Sequence, residues 1–219
     1  MKILFEDNDI LVCEKLPGIP CESALPGEKC LADVLIEENP SVRSLFLVHR
    51  LDRNTGGVTV LAKNKKSAAF LSAQIAAGTF KKRYFAVTDG IPAEKNGVYK
   101  DLLFKDSKKG RSYVVDRMRK GVKEASLEYE TLGVNTEKNK ALVKILLHTG
   151  RTHQIRVQFS SRKTPLCGDG KYGSRDNKAD TALWAFALTL NLADGSEKTF
   201  RSFPDTAVYP WNLFSEALK

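Results

Sequence analysis

Hydrophobic and polar positions alternate along this chain in short blocks, and most blocks read as strands joined by tight polar turns. Residues 3–5 and 10–13 are apolar runs separated by Glu6-Asp7-Asn8-Asp9, a pattern that predicts a hairpin with an Asx-rich turn. Across 124–131, Ala125, Leu127, Tyr129 and Thr131 fall on one face and Glu124, Ser126, Glu128 and Glu130 on the other. That is the signature of a half-buried antiparallel strand. A turn at 135–140 leads to its partner at 141–147, and Asp194-Gly195 marks another hairpin between 189–192 and 199–203. Strand composition also fills 45–48, 58–62 and 81–89. Two helices interrupt the strands. One spans 31–38 through Leu31, Val34, Leu35 and Ile36 and ends near Pro40. The other is capped by Asn64, sets Ala68, Leu71 and Ile75 on one face, and stops at Gly78. Strands grouped as hairpins rather than βαβ units predict an α+β class: a mixed, mostly antiparallel sheet with packed helices, in a single domain over 1–219.

Charge adds a partner to that picture. The chain of 219 residues carries 35 Lys and Arg against 26 Asp and Glu, a formal net charge of +9. Such an excess calls for a polyanion, either nucleic acid or an anionic membrane surface. No apolar run approaches the roughly 20 residues of a membrane span. The first residues turn acidic too early for a secretory signal. Nucleic acid is therefore the expected partner, with no membrane role. Cysteines at 13, 21, 30 and 167 make no C-x-x-C pair, so neither a zinc ribbon nor a redox motif is present, and reduced thiols of a cytoplasmic protein are expected. The densest charge lies over 105–123, where Lys105, Lys108, Lys109, Arg111, Arg117, Arg119, Lys120 and Lys123 surround Tyr113-Val114-Val115. Two readings fit: a solvated hairpin, or an arm lying along phosphates.

Three polar clusters carry candidate chemistry. The first is Val48-His49-Arg50-Leu51-Asp52-Arg53-Asn54-Thr55-Gly56-Gly57, a carboxylate between two arginines followed by a polar turn that ends in two glycines. The second is Thr149-Gly150-Arg151-Thr152-His153-Gln154-Ile155-Arg156, and the third Gly168-Asp169-Gly170-Lys171-Tyr172-Gly173. An aspartate titrates near about 3.9, so at neutral pH it can act as a nucleophile without a separate base. A nearby guanidinium would keep it charged while water is excluded. Arg156 is the candidate, on a helix expected to begin near Thr152 and to share a face with Thr152 and His153. Arg151 then points elsewhere, free for phosphate or loop contacts. In isolation, Asp52 also reads as a turn cap within a structural ion-pair network. A metal hydrolase is a third reading, because His49, His148 and His153 all lie in or beside these clusters, but their spacing matches no standard ligand motif.

Taken together and in this order, the clusters resemble the RluA-type RNA pseudouridine synthases, over about residues 3 to 204. The first is similar to that family's H-R-L-D-x-x-T-S-G, the second to T-G-R-T-H-Q-I-R-V-H and the third to G-D-x-x-Y-G. The resemblance implies isomerisation of uridine in ribosomal or transfer RNA, without metal or nucleotide cofactor. It assigns Asp52 as the catalytic aspartate, open to attack at C1′ or C6 or to removal of a ribose proton. Arg156 is implied as its helix arginine, and Tyr84 as the tyrosine that packs on the base and removes its C5 proton. Alone, Tyr84 also reads as a core aromatic. Arg50 is implied in displacing the target nucleotide, which must leave its stack to be reached. Arg53, Arg151, His153, Lys109, Arg111, Arg117, Arg119 and Lys120 are expected on RNA, and Asp169 and Tyr172 along the base pocket. His49 is expected to be structural.

Some positions depart from the pattern. Lys15-Leu16-Pro17-Gly18 replaces N-K-P-x-G, so Lys15 is expected as a solvated turn lysine. Gly56-Gly57 replaces Ser-Gly and is expected to loosen the loop. Gln158 stands where a histidine is common, and Trp184 takes the place of the histidine in Leu-His-Ala. The chain opens directly in the catalytic domain without an S4-type domain, so recognition is expected from that domain and its basic arm. The competing reading from a different class is a non-catalytic RNA-binding or ribosome-assembly module on the same fold. A monomer is the default expectation.

Overall fold

The computed structural model describes residues 1–218. In chain order its elements begin with strands β1 (Lys2–Glu6) and β2 (Ile10–Lys15), helix α1 (Leu31–Glu38), strands β3 (Phe46–Leu47) and β4 (Gly56–Ala62), and helix α2 (Lys65–Ala77). Strands β5 (Lys81–Asp89), β6 (Asn96–Asp106), β7 (Arg111–Val115), β8 (Val122–Asn135) and β9 (Lys140–Leu147) follow. Helix α3 (Gln154–Ser161), a 3-10 turn at Gly170–Tyr172, β10 (Leu183–Asn191), β11 (Glu197–Arg201) and a kinked 3-10 segment at Trp211–Leu218 complete the chain. The α+β class and the predicted hairpins hold. Among the described residues no helix is long and apolar enough to cross a membrane.

The chain packs as two compact units, one of residues 1–82 with 184–204, the other of residues 83–183 with 205–218. In the first, β2 and β4 pair antiparallel, β4 and β10 pair parallel, and β1, β3 and β11 add antiparallel pairings. Every residue of β4 is buried, so that strand reads as a continuous apolar run. Helix α2 forms where the sequence predicts. Asn64 Oδ1 accepts from Ser67 N at 2.9 Å, and Gly78 ends the helix in the left-handed region at φ 74°. Its Leu71, with Ala68 and Ile75 beside it, packs on Val12, Val58, Val60, Leu188 and Leu190. The Asx turn of the first hairpin is also present, with Asp7 Oδ1 accepting from Asp9 N and Ile10 N.

In the second unit the strand order is β5-β9-β8-β6-β7. The alternation read over 124–131 is borne out: Ala125, Leu127, Tyr129 and Thr131 are buried, and Glu124, Glu128 and Glu130 are exposed. The basic segment 105–123 is the β6–β7 hairpin and the connection into β8. Helix α3 packs there, with Val157 against Leu103, Ala125 and Tyr172.

Candidate active site

The expected site residues divide between the two units. In the first, Asp52 opens a tight turn closed by the Thr55 N–H donating to Asp52 O at 3.0 Å. The backbone is anchored on both sides of it. Before Asp52, the Leu51 N–H donates to Cys21 Sγ at 3.3 Å. After it, Arg53 O accepts from Lys15 Nζ and from the Gly18 N–H, each at 2.9 Å.

Lys15 is the largest departure from expectation. It is fully buried rather than solvated, and its ammonium also donates to Leu16 O at 3.0 Å and Ile19 O at 2.7 Å. Three carbonyls match the three donors of an ammonium, which is why a lysine can be buried here. Burial pushes Lys15 down to about 8. A substrate role was not expected of this lysine; a positioning role was missed. The near match to N-K-P-x-G was the available signal.

The glycine pair overturns a second expectation. Gly56 and Gly57 begin β4 rather than end a turn, and they tighten the region instead of loosening it. A Cβ on Gly56 would sit 2.2 Å from Cζ3 of Trp184, and one on Gly57 2.2 Å from Ala185 O. Gly57 also has φ +114°, which L side chains rarely adopt. The indole of Trp184 thus fills the space that a serine at position 56 would need. Its Nε1 donates to Ser202 O at 3.2 Å, and Ser202 Oγ donates to Glu14 Oε2 at 2.7 Å. The two departures from the family pattern are one packing solution.

His49 is structural, as expected. Its Nε2 accepts from the Val60 N–H at 3.3 Å and lies 3.3 Å from Thr59 Oγ1. Burial, with Lys82 adding to it, pushes His49 down to about 3, so it is a neutral imidazole at physiological pH. Arg50 and Arg53 lie on the surface, ion-paired with Glu22 and Glu28 respectively.

In the second unit, Tyr84 sits on β5 and is 5% exposed. Helix α3 begins at Gln154, two residues later than expected, because His153 holds the left-handed region at φ 53°. Gln154 organises that turn: its Oε1 accepts from Thr149 Oγ1 and Arg151 N, and its Nε2 donates to Ser126 O. Thr152 and His153 therefore share no helical face with Arg156. Arg156 is instead held by Asp169, with Nε donating to Oδ2 at 2.6 Å and Nη2 to Oδ1 at 2.9 Å. Asp169 is 1% exposed, so this is a buried bidentate pair.

Tyr172, 2% exposed, supports the same arginine. Its ring lies 5.0 Å from the Arg156 guanidinium carbon and 4.9 Å from that of Arg111. Its hydroxyl accepts from Ser112 N at 2.8 Å and lies 2.9 Å from His153 Nδ1. Burial raises the Tyr172 phenol above its ordinary range. Among the remaining basic candidates, Arg151 Nε donates to Glu124 O, Arg119 lies over the Phe104 ring, and Lys109, Arg117 and Lys120 are exposed. His148 pairs with Glu128 on the surface. Gln158, fully buried, donates to Tyr99 O and Asp101 Oδ2.

Comparison with known proteins gives this arrangement a context. The family model described as RNA pseudouridylate synthase matches residues 9–161. An uncharacterized RNA pseudouridine synthase of Bacillus subtilis is 34% identical over 178 residues, covering 79% of this chain and 58% of that one. Another from Zymomonas mobilis is 32% identical over 199 residues, covering 88% and 87%. Ribosomal large subunit pseudouridine synthase D of Zymomonas mobilis is 33% identical over 191 residues, covering 84% and 59%. This chain thus spans under two thirds of the Bacillus protein and of synthase D, and most of the other. Among solved structures, human RNA Pseudouridylate Synthase Domain Containing 4 matches with a TM-score of 0.77 and 25% identity, covering 99% of this chain and 91% of that one. The chain belongs to the RNA pseudouridylate synthase family.

Proposed function

We propose that this chain isomerises uridine in structured RNA to pseudouridine, with Asp52, Tyr84 and Arg156 as its catalytic residues. The change conserves atoms. The N1–C1′ bond breaks, the base turns, C5 joins C1′, and C5 gives up a proton while N1 regains one. A glycosidase commonly needs a second carboxyl group to protonate its leaving group. Uracil departs as a delocalised anion, so one carboxylate suffices. Arg156 supplies a fixed positive charge of the kind a departing uracil anion requires. Asp169 and Tyr172 act as positioning residues for that arginine. Tyr84 takes the C5 proton.

Because a base stacked in a helix cannot bring C1′ and C5 to Asp52, the target nucleotide is extruded, and the planar guanidinium of Arg50 fills the vacated stack. Arg53, Arg151, His153, Lys109, Arg111, Arg117, Arg119 and Lys120 follow the phosphates. The observation that carries this reading is the anchoring of the backbone on both sides of Asp52 by Cys21, Lys15 and Gly18. A simple turn cap needs no such scaffold. Ribosomal RNA is the first substrate to try, since one relative is named for the large ribosomal subunit.

Tritium release from RNA carrying 5-³H-uridine tests the proposal, with ribosomal and transfer RNA pools lacking this modification. Wild type releases tritium, and Asp52→Asn loses roughly 10³-fold or more of the rate. Binding without release from either pool would leave an RNA-binding module in place of the enzyme.

A further inference from the structure

The loop between β2 and α1 supplies a carboxylate to each arginine flanking Asp52. Arg50 Nη1 donates to Glu22 Oε2, and Arg53 Nη2 donates to Glu28 Oε1 at 2.6 Å. Glu28 is itself set in place. Its Oε2 accepts from the Ala24 N–H at 3.0 Å, its carbonyl accepts from Ser23 Oγ at 2.6 Å, and its own N–H donates to Leu25 O at 3.2 Å. The loop bearing both glutamates is tied to the Asp52 turn by Lys15, Gly18 and Cys21. Two carboxylates on one anchored loop therefore mask two arginines three residues apart.

A guanidinium fork accepts a carboxylate or a phosphate in the same geometry. The Arg50 and Arg53 side chains are 53% and 47% exposed, and their partners Glu22 and Glu28 are 58% and 19% exposed, so the Arg50–Glu22 pair is the more open of the two. Exposed ion pairs are weak and screened, so an incoming phosphate can replace them. We infer that Glu22 and Glu28 are built-in competitors for RNA phosphates at the arginines flanking Asp52 on first encounter, before Arg50 enters the vacated stack, and that they set which RNA gains access to that carboxylate. The inference rests on the reading of this segment as the RNA-facing active site. An RNA that offers a phosphate to only one arginine leaves the other masked. One that engages both releases the loop's two carboxylates together.

The test is binding, and needs no turnover. A uridine-free single-stranded RNA oligonucleotide is titrated against wild type, against Glu22→Gln/Glu28→Gln, and against Glu137→Gln/Glu197→Gln, which makes the same change in net charge at two exposed positions elsewhere. Glutamine keeps an acceptor for the Ala24 N–H. The loop variant is expected to bind about three- to tenfold tighter than wild type. Its affinity should also fall more steeply with salt, by roughly 0.7 in log–log slope for each phosphate newly engaged. The distal variant should stay within about twofold of wild type. No tightening, or equal tightening by both double variants, overturns the inference. Should the double variant fail to fold, Glu22→Gln alone leaves the Glu28 contacts in place and carries half the expected gain. Loss of tritium release in wild type would instead strike the catalytic assignment and leave this binding result to stand or fall alone.

Discussion

The Asp52 turn and the Arg156 helix are fixed by opposite means. Around Asp52 the anchors act on the backbone of its neighbours: an amide held by a thiol, and a carbonyl held by a buried ammonium and a second amide. Around Arg156 the anchor is the side chain itself, gripped at two nitrogens by a buried carboxylate and laid against a tyrosine ring. A backbone anchor keeps a turn in shape whatever its side chains do, whereas a permanent charge can be immobilised through its own head group.

Removing an anchor should therefore cost different things in the two places. Asp169→Ala removes a buried carboxylate bonded to two nitrogens of the largely buried Arg156, and should destabilise by about 3–5 kcal/mol in chemical denaturation. A loss under about 1 kcal/mol would mean that the pair is not what holds Arg156. Gly56→Ser drives a side chain into an indole fixed by hydrogen bonds, and should cost about 1–3 kcal/mol. Adding Trp184→His should recover most of that loss. An additive double variant would show that the two positions are independent.

Lys15→Met removes the ammonium donor from the carbonyls of Leu16, Ile19 and Arg53 and should cost about 2 kcal/mol, while lowering kcat with KM little changed. An unchanged kcat in a stable variant would deny Lys15 any part in aiming Asp52.

The effect confined to acid conditions is a pH dependence. His49 is held near 3, below its ordinary value of 6.5, so the unfolded chain takes up a proton that the folded chain refuses. Stability is then full above pH 6.5 and falls as pH drops toward 3, by about 2 kcal/mol at pH 5. His49→Gln should flatten that part of the unfolding curve; an unchanged acid profile would place the titration elsewhere.

Much of this was legible in the sequence where the cause is local. Asn64 and Gly78 bracket α2 because capping and the left-handed stop act within one turn. The alternation of β8 shows directly because it has one solvated face. What escaped reading depends on partners distant along the chain. Lys15 looks solvated beside Leu16-Pro17-Gly18 until Arg53, 38 residues on, supplies its third acceptor. Gly56 looks permissive until Trp184 covers it. The start of α3 was misplaced because Thr152-His153 suits a helix, and only the Gln154 side chain, satisfying Thr149 and Arg151, explains why His153 turns left-handed first.

Tyr172 has a mechanical consequence. Its hydroxyl is bonded to the backbone of β7, and its ring is in contact with both Arg111 of that strand and Arg156 of α3. Ser112 Oγ adds a tether to Thr152 O at 2.7 Å, and Lys171 Nζ another to Gly110 O at 2.9 Å. The basic hairpin and helix α3 are therefore tied together through one residue, and any change at Tyr172 is felt by both.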